Sequence, residues 1–185
     1  MVKRDFIRNA IIVLIAIVGI LLLRSFVFST IRVHAPAANQ YVAEGDVLVF
    51  NHNKEPLRQD FVVYRVGKTN YIGRVIATSG QTVTYMEDIL YLDGKATNER
   101  YLDSAKSKYL ASAGQGATYT NDFSIQTLTN NKETKIPKGS YLILNDDRKN
   151  TKDSRSFGLI KTSQIKGVVS FRVWPLKDFG FIRTR

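Results

Sequence analysis

Apolar and polar positions divide the chain into two parts of different character. Fourteen residues from Ala10 to Leu23 carry no charge and no polar side chain. Counted from Asn9 to Phe28, the apolar stretch has 20 residues, which is about the length that a helix needs to cross the hydrocarbon core of a bilayer. Because no polar face interrupts the run, it predicts a membrane-spanning helix rather than the buried helix of a soluble domain.

Basic residues before this apolar stretch predict its orientation in the membrane. Lys3, Arg4 and Arg8 precede it, and the positive-inside rule then keeps the N-terminus in the cytoplasm. A cleaved signal peptide is disfavoured because Ser25 and Ser29, the nearest small residues, are interleaved with arginine and phenylalanine and do not form a small-x-small cleavage site. We expect a cytoplasmic segment 1–8, a spanning helix 9–28 and an extracytoplasmic domain 29–185.

The rest of the chain has the pattern of β-strands. Short runs rich in β-branched and aromatic residues alternate with turn signals such as Ser79-Gly80 and Asp93-Gly94, as in an antiparallel β domain. The predicted strands are Val47–Phe50, Phe61–Val66, Tyr71–Ala77, Thr82–Tyr85 and Ile89–Leu92. We predict a mainly β fold, sandwich or barrel-like, with an inserted subregion at about 100–135. Two loops are expected there, at Ala111–Thr120 and Thr129–Lys135.

Composition narrows the classes of function. The formal net charge is +11, but between Leu144 and Arg185 the ten basic residues are spread among apolar residues and form no basic run and no basic helix face. This distribution favours a basic surface beside anionic lipid over a nucleic-acid-binding protein. With no cysteine and two histidines, the chain predicts no disulfide, no metal site and no cofactor. Oligomeric state is left open.

Four segments carry a resemblance to a known family. Leu144–Gly158, LNDDRKNTKDSRSFG, resembles the GDNRxxSxDSRxxG pattern of type I signal peptidases. Asn70–Gly80, Arg58–Tyr64 and Ile136–Tyr141 are similar to three further segments of that family. Together with the N-terminal anchor, the resemblance covers nearly the whole chain. It implies a signal-peptidase-like β domain on one transmembrane helix.

The resemblance also identifies the positions of the family's catalytic residues. The family uses a serine nucleophile on a loop after the span and a neutral lysine base, and both are needed because a free hydroxyl is a poor nucleophile. Alignment from the flanking residues puts Ala37 at the serine position, or Pro36 or Ala38 after a slip of one residue. Gly73 stands at the lysine position. None of these residues can act as nucleophile or base, so no catalytic residue is assigned.

The framework segment retains more of the family pattern. Asp153 and Arg155 match an ion pair that the family uses structurally, and Thr151 matches the serine that orients the lysine. We therefore expect a bridge between Asp153 and Arg155, in a fold that persists without the dyad.

These observations favour a chain that is not an enzyme. The resemblance implies a catalytically degenerate member of the kind that assists pilus assembly in Gram-positive bacteria, a membrane protein with pilin subunits or a sortase as partners and no nucleic acid. It would hold a partner segment on exposed strand edges near Pro36–Val42 and Tyr71–Ala77 and so act as a chaperone. The expected binding cleft is lined by Ala35, Pro36, Ala37, Ile72, Gly73 and Val75.

The alternative hypothesis is an active signal peptidase with a rearranged nucleophile. The candidate hydroxyls are those of Ser25, Ser29, Thr30 and Ser79. A histidine base is ranked low: His52 lies in a polar turn, and His34 precedes a stretch that has no hydroxyl before Asn39.

Overall fold

The N-terminal apolar segment forms one helix, α1, which spans Val2–Val27. This computed structural model describes residues 2–34, 37–39 and 41–182, with side chains at 5–22 and from 27 onward. Aliphatic residues without a proline favour the helix, which starts earlier than the predicted span and ends one residue before it. Within the described part of the chain, the segment Asp5–Leu22 is the one helical stretch long and apolar enough to cross a membrane.

Twelve short strands follow α1 in the described residues, interrupted by three short helices. The strands are β1 Phe28–Arg32, β2 Val47–Asn51, β3 Phe61–Val66, β4 Thr69–Ala77, β5 Val83–Met86, β6 Ile89–Leu92, β7 Lys95–Thr97, β8 Phe123–Ser124, β9 Ser140–Leu144, β10 Ile160–Lys161, β11 Ile165–Trp174 and β12 Gly180–Phe181. The helices are α2 Asp103–Ser112, α3 Ile125–Leu128 and α4 Ser154–Phe157. The fold is therefore mainly β, as predicted.

The strands form two antiparallel sheets. The larger sheet has the order β1-β2-β11-β3-β4-β9-β10, with β12 added to β11, and the smaller has the order β7-β6-β5-β8. Strand β1 continues directly from α1 and pairs with β2, with Ser29 opposite Phe50. The register of this pair positions the candidate site described below.

The larger sheet is covered on both faces. Side chains alternate across a strand, so Val62 and Tyr64 of β3 pack into one buried cluster with Val75, whereas Phe61 and Val63 pack into another with Leu48. A third cluster joins the end of β4 to the smaller sheet. This double burial explains why β3 and β4 read as nearly continuous apolar runs.

The segment predicted as an inserted subregion contains more regular structure than expected. Between about 100 and 135 the chain forms α2, β8 and α3, and β8 completes the smaller sheet by pairing with β5. The predicted loop Ala111–Thr120 is wrong at its start, because α2 continues to Ser112. Helix α2 buries no side chain, so it carries no apolar stripe by which it could be predicted.

Candidate active site

The family's serine position lies in a half-buried turn. The N–H of Ala37 donates to the carbonyl of His34 at 2.9 Å, and its methyl group packs against the cluster that contains Leu48 and Phe61. A methyl group offers no nucleophile. Ala35 and Pro36, the other predicted residues of this loop, lie outside the described residues.

The family's lysine position has no room for a side chain. Gly73 is buried in β4, where a Cβ atom would lie 2.6 Å from Ile143 Cγ2 and 3.2 Å from the carbonyl oxygen of Leu144. Packing at these distances requires the neighbours to move. Glycine offers no base at this position, and the neighbouring atoms fill the space beside it.

Three residues predicted to line an open cleft are buried instead. Ile72 packs into the cluster that contains Phe61, Val75 packs into the cluster on the opposite face, and Gly73 lies between them in β4. From Arg74 to Ala77, β4 pairs with β3 or with the loop before it on one side and with β9 on the other. The predicted free edge at Tyr71–Ala77 is therefore wrong over this part of the strand.

The framework residues form a tight polar turn. Arg155 donates to Asp153 through Nη2 at 2.6 Å and Nε at 2.9 Å. Asp153 Oδ2 also accepts the N–H of Asn145 at 2.9 Å, which ties the turn to the end of β9. The Thr151 side chain is exposed, and its carbonyl accepts the Ser156 hydroxyl at 2.5 Å. The turn thus has a structural role that does not need a lysine at position 73.

Two buried arginines, whose side-chain partners could not be derived from the sequence, hold the domain together. Arg74 donates to Asp146 at 2.6 and 2.8 Å, and its guanidinium stacks 4.1 Å from the Phe61 ring and 4.0 Å from the Tyr101 ring. The signal that could have found this pair is an arginine inside an apolar strand, since a buried charge requires a partner.

Arg148 makes the second buried network. It donates to Glu99 at 2.8 Å and to the Tyr85 hydroxyl at 2.9 Å, so it joins the 145–150 turn to the smaller sheet. Burial is the main reason why the pKa of Tyr85 is raised, and the negative charge of Glu99 adds to it. Arg148, Glu99 and Tyr85 therefore have a structural role inside the domain.

A serine and a histidine meet where the chain leaves α1. Ser29 Oγ lies 2.8 Å from His52 Nε2, and the other ring nitrogen, Nδ1, lies 2.8 Å from the carbonyl oxygen of Lys166. A carbonyl accepts only, so Nδ1 carries the proton and Nε2 is free to accept the serine hydroxyl proton. The N–H of His52 donates to the carbonyl of Val27, the last residue of α1, at 3.0 Å. This is the arrangement of an activated serine with an oriented base.

The remaining candidate hydroxyls lack this arrangement. Ser79 Oγ accepts the N–H of Gly139 at 3.0 Å and contacts the carbonyl of Ser140, which ties it into a turn. Thr30 lies on the opposite face of β1 from Ser29. His34 is exposed, and the side chain of Ser25 lies outside the described residues. Ser29 was among the predicted nucleophiles, and His52, which was ranked low because it lies in a polar turn, contacts it although 23 residues separate the two.

Among the residues that the structure describes, no group of three histidine or acidic side chains could hold a metal ion. A groove of about 560 Å³ borders His52, lined on its other sides by residues that include Lys54, Lys138 and Tyr141. It provides open space on one side of His52.

Comparison with known proteins identifies relatives over most of the chain. Residues 5–174 match the model of the family described as signal peptidase, peptidase S26. The chain is 36% identical over 172 residues to signal peptidase I of Bacillus caldolyticus, covering 90% of this chain and 91% of that protein. It is 33% identical over 186 residues to signal peptidase IB of Staphylococcus aureus strain MRSA252, covering 97% and 95%.

A solved structure agrees with these relatives. The crystal structure of a signal peptidase I from Enterococcus faecalis V583 superposes with a TM-score of 0.55 and 36% sequence identity, covering 62% of this chain and 97% of that one. The expectation that the chain is not an enzyme is contradicted by these findings, because relatives that match it over most of its length are named as signal peptidases.

Proposed function

Because this chain belongs to the signal peptidase family S26, we propose that it is a membrane-anchored peptidase that removes signal peptides with Ser29 as nucleophile and His52 as base. The observation that carries the proposal is the 2.8 Å contact between Ser29 Oγ and His52 Nε2, with the ring held by the Lys166 carbonyl. The family dyad is not available, since Ala37 and Gly73 stand at its two positions. The pair at Ser29 supplies the same two chemical functions, a hydroxyl nucleophile and a neutral base.

The position of the pair suits this substrate. A signal peptide is cut close to the outer end of its own membrane segment, so the nucleophile has to lie near the membrane surface. Ser29 is the second residue after α1 ends at Val27. With Lys3, Arg4 and Arg8 in the cytoplasm, the proposal puts Ser29 on the outer side, at the depth where an exported precursor emerges.

Each group has a defined role in the proposed reaction. His52 Nε2 takes the proton of Ser29 as Oγ attacks the scissile carbonyl, and the same proton goes to the departing amine. Water then hydrolyses the ester, again with His52 as base. The Lys166 carbonyl takes the orienting role that a carboxylate has in many serine hydrolases, without a second charge.

A precursor with an Ala-x-Ala site, incubated with the full chain in lipid vesicles, tests the proposal. Wild type should cleave it, and Ser29→Ala or His52→Ala should lower kcat/KM by about a hundredfold or more. Thr30→Ala and His34→Ala are matched controls that remove a hydroxyl or an imidazole nearby and should retain activity. A phosphonate ester should label Ser29, read by peptide mass spectrometry. Absence of cleavage by wild type, or full activity of Ser29→Ala, contradicts the proposal.

The processing role differs from the role in pilus assembly. The relatives are named for signal-peptide processing, whereas binding of pilin or sortase rests on the resemblance alone and stays a prediction. Orientation in the membrane has its own test, which is protease treatment of intact protoplasts. The domain after Val33 should be digested, and its protection would reverse the proposed orientation.

A further inference from the structure

The carbonyl that holds the His52 ring comes from a bulge in strand β11. The pairing of β11 with β3 shifts by one residue between Ile165 and Gly167, so Lys166 has no residue opposite it on β3. A bulged residue is left out of the regular hydrogen-bond ladder. The Lys166 carbonyl is therefore available to a side chain, and it accepts the Nδ1–H of His52 at 2.8 Å.

Gly167, the residue after the bulge, lies against the backbone of β2 where a side chain has no room. A Cβ atom on Gly167 would stand 2.4 Å from the carbonyl oxygen of Asn51 and 2.8 Å from its carbonyl carbon. It would also stand 2.8 Å from Cδ2 of the Phe50 ring. Two of these three atoms belong to the backbone and cannot rotate away, so a side chain at position 167 requires β11 to move back from β2. A glycine inside a strand often marks such a close approach of another backbone.

The close approach at Gly167 determines where the Lys166 carbonyl lies. The two residues are neighbours on β11, and Asn51, which Gly167 touches, directly precedes His52. A retreat of β11 by about 1 Å would bring a Cβ on Gly167 to an ordinary contact distance. The same retreat would stretch the 2.8 Å bond between Lys166 and His52 past the range of a hydrogen bond. A methyl group at position 167 therefore costs the ring its backbone acceptor.

The other neighbours of the His52 ring do not choose its tautomer. The Phe50 ring packs against it edge to face, with centroids 5.1 Å apart at 72°, which restricts the position of the imidazole and leaves both nitrogens free. The Ser29 hydroxyl, 2.8 Å from Nε2, can donate or accept. The Lys166 carbonyl can only accept, so it selects the form with the proton on Nδ1.

We propose that Gly167 is a positioning residue for the serine–histidine pair. By having no side chain, it lets β11 lie close enough to β2 for the Lys166 carbonyl to hold the Nδ1–H of His52. This leaves Nε2 unprotonated and facing Ser29 Oγ. Gly167 touches no reacting atom and acts through the Lys166 backbone. The effect on catalysis rests on the proposed function, whereas control of the ring by Gly167 does not.

Nitrogen-15 NMR of the full-length protein in detergent micelles tests the inference, because protonated and unprotonated ring nitrogens resonate far apart. The chain has two histidines, so His34→Ala leaves the signals of His52 alone. At about pH 8, where an ordinary imidazole is neutral, His52 should be in the Nδ1–H form. Gly167→Ala should convert it to a mixture of the Nδ1–H and Nε2–H forms. Should Gly167→Ala not fold, the spectrum with glycine at 167 decides: the Nδ1–H form supports the inference and the Nε2–H form overturns it.

Gly73→Ala is the matched control for a loss of stability alone. A Cβ there also crowds the larger sheet, 2.6 Å from Ile143 Cγ2, but Gly73 lies in β4, which β11 and β3 separate from β2. This variant should be destabilised in urea and keep His52 in the Nδ1–H form. If Gly167→Ala behaves in the same way, the glycine has a structural role only and the inference is overturned.

Kinetics separates this inference from the proposed function. In the precursor assay Gly167→Ala should lower kcat by about tenfold or more and leave KM unchanged, because the base is misaligned while binding is not. If Gly167→Ala releases the Nδ1–H but the protein with glycine at 167 cleaves no precursor, the control of the ring by Gly167 stands and the proposed function fails. If that protein cleaves, and Gly167→Ala keeps both the Nδ1–H form and kcat, the proposed function stands and the positioning role is overturned.

Discussion

Ile143 fills the space beside Gly73 that a catalytic lysine would need. Its Cγ2 atom lies 2.6 Å from the point where a Cβ of residue 73 would stand, and Tyr64 Cε1 lies 3.4 Å from the same point. Both side chains belong to the buried cluster on that face of the larger sheet. The change at position 73 is therefore accompanied by neighbours that pack against the glycine, and restoring the family's residue requires more than one substitution.

Gly73→Lys should destabilise the fold without creating a base. We expect a loss of about 1–3 kcal/mol from overpacking, with a further loss from burying an amine beside an apolar cluster. Urea denaturation measures this loss of stability. The double variant Gly73→Lys with Ile143→Ala is the control. It should lose less stability than the sum of the losses of the two single variants, because the two side chains compete for one space. A Gly73→Lys protein as stable as wild type would show that the strand opens easily.

Tyr64→Phe should stabilise the protein. The Tyr64 hydroxyl is fully buried and, in the part of the chain that the structure describes, has no hydrogen-bond partner. Removing this hydroxyl eliminates the cost of burying an unsatisfied polar group, so the free energy of unfolding should rise by about 1 kcal/mol or more. Tyr85→Phe is the opposite control, because its hydroxyl bonds to Glu99 at 2.8 Å and to Arg148. If both variants shift the urea midpoint downward, Tyr64 has a partner that the structure does not display.

The strands could be predicted from the sequence where local pattern and tertiary structure agree. Phe61–Val66 and Ile89–Leu92 are found with the predicted bounds, because β-branched and aromatic runs there end at turns. β1 was missed because it follows the apolar span without a turn signal. β8, β10 and β12 have two residues each, which is too short for any periodic pattern, and only their partners define them as strands.

The candidate site was predictable in its chemistry but not in its geometry. Ser29 was a candidate because it lies close to the end of the span, whereas His52 was ranked low because it lies in a polar turn. The sequence gives no distance between two residues that are 23 positions apart. The pairing of β1 with β2 brings the two together. The family was recognised from the framework segment, but loss of the two family positions was taken as loss of activity. An active peptidase with a rearranged nucleophile was kept as the alternative hypothesis, and the relatives named as signal peptidases favour an active peptidase.

Removing one partner of the buried ion pair of Arg74 and Asp146 should lower the free energy of unfolding much more than removing one partner of an exposed ion pair. Both side chains are fully buried, at 0% and 1% exposed, so Asp146→Ala removes the carboxylate that bonds to the buried guanidinium at 2.6 and 2.8 Å. We expect a loss of about 3–5 kcal/mol. Asp178→Ala is the control, because Asp178 is 45% exposed and lies 3.8 Å from Arg172, and it should cost less than about 1 kcal/mol. Equal losses for the two variants, measured by urea denaturation, would falsify the role assigned to the buried pair.

Alkaline pH should weaken the fold through the buried tyrosines. Burial, followed by the negative charge of Glu99, raises the pKa of Tyr85 well above its ordinary value of 10.0, while Arg148 opposes the shift. Burial also raises the pKa of Tyr101, with Glu99 again adding to it. The native state therefore keeps protons that the unfolded chain releases. Their contribution to stability is complete below the unfolded pKa and is lost as pH rises above it.

The free energy of unfolding should accordingly fall from about pH 10 upward. Tyr85→Phe removes one of these groups and should make the decline shallower, although it lowers stability at neutral pH by breaking the bonds to Glu99 and Arg148. Urea denaturation at a series of pH values measures the slope of this decline. A slope that Tyr85→Phe does not change would show that Tyr85 does not carry this pH dependence.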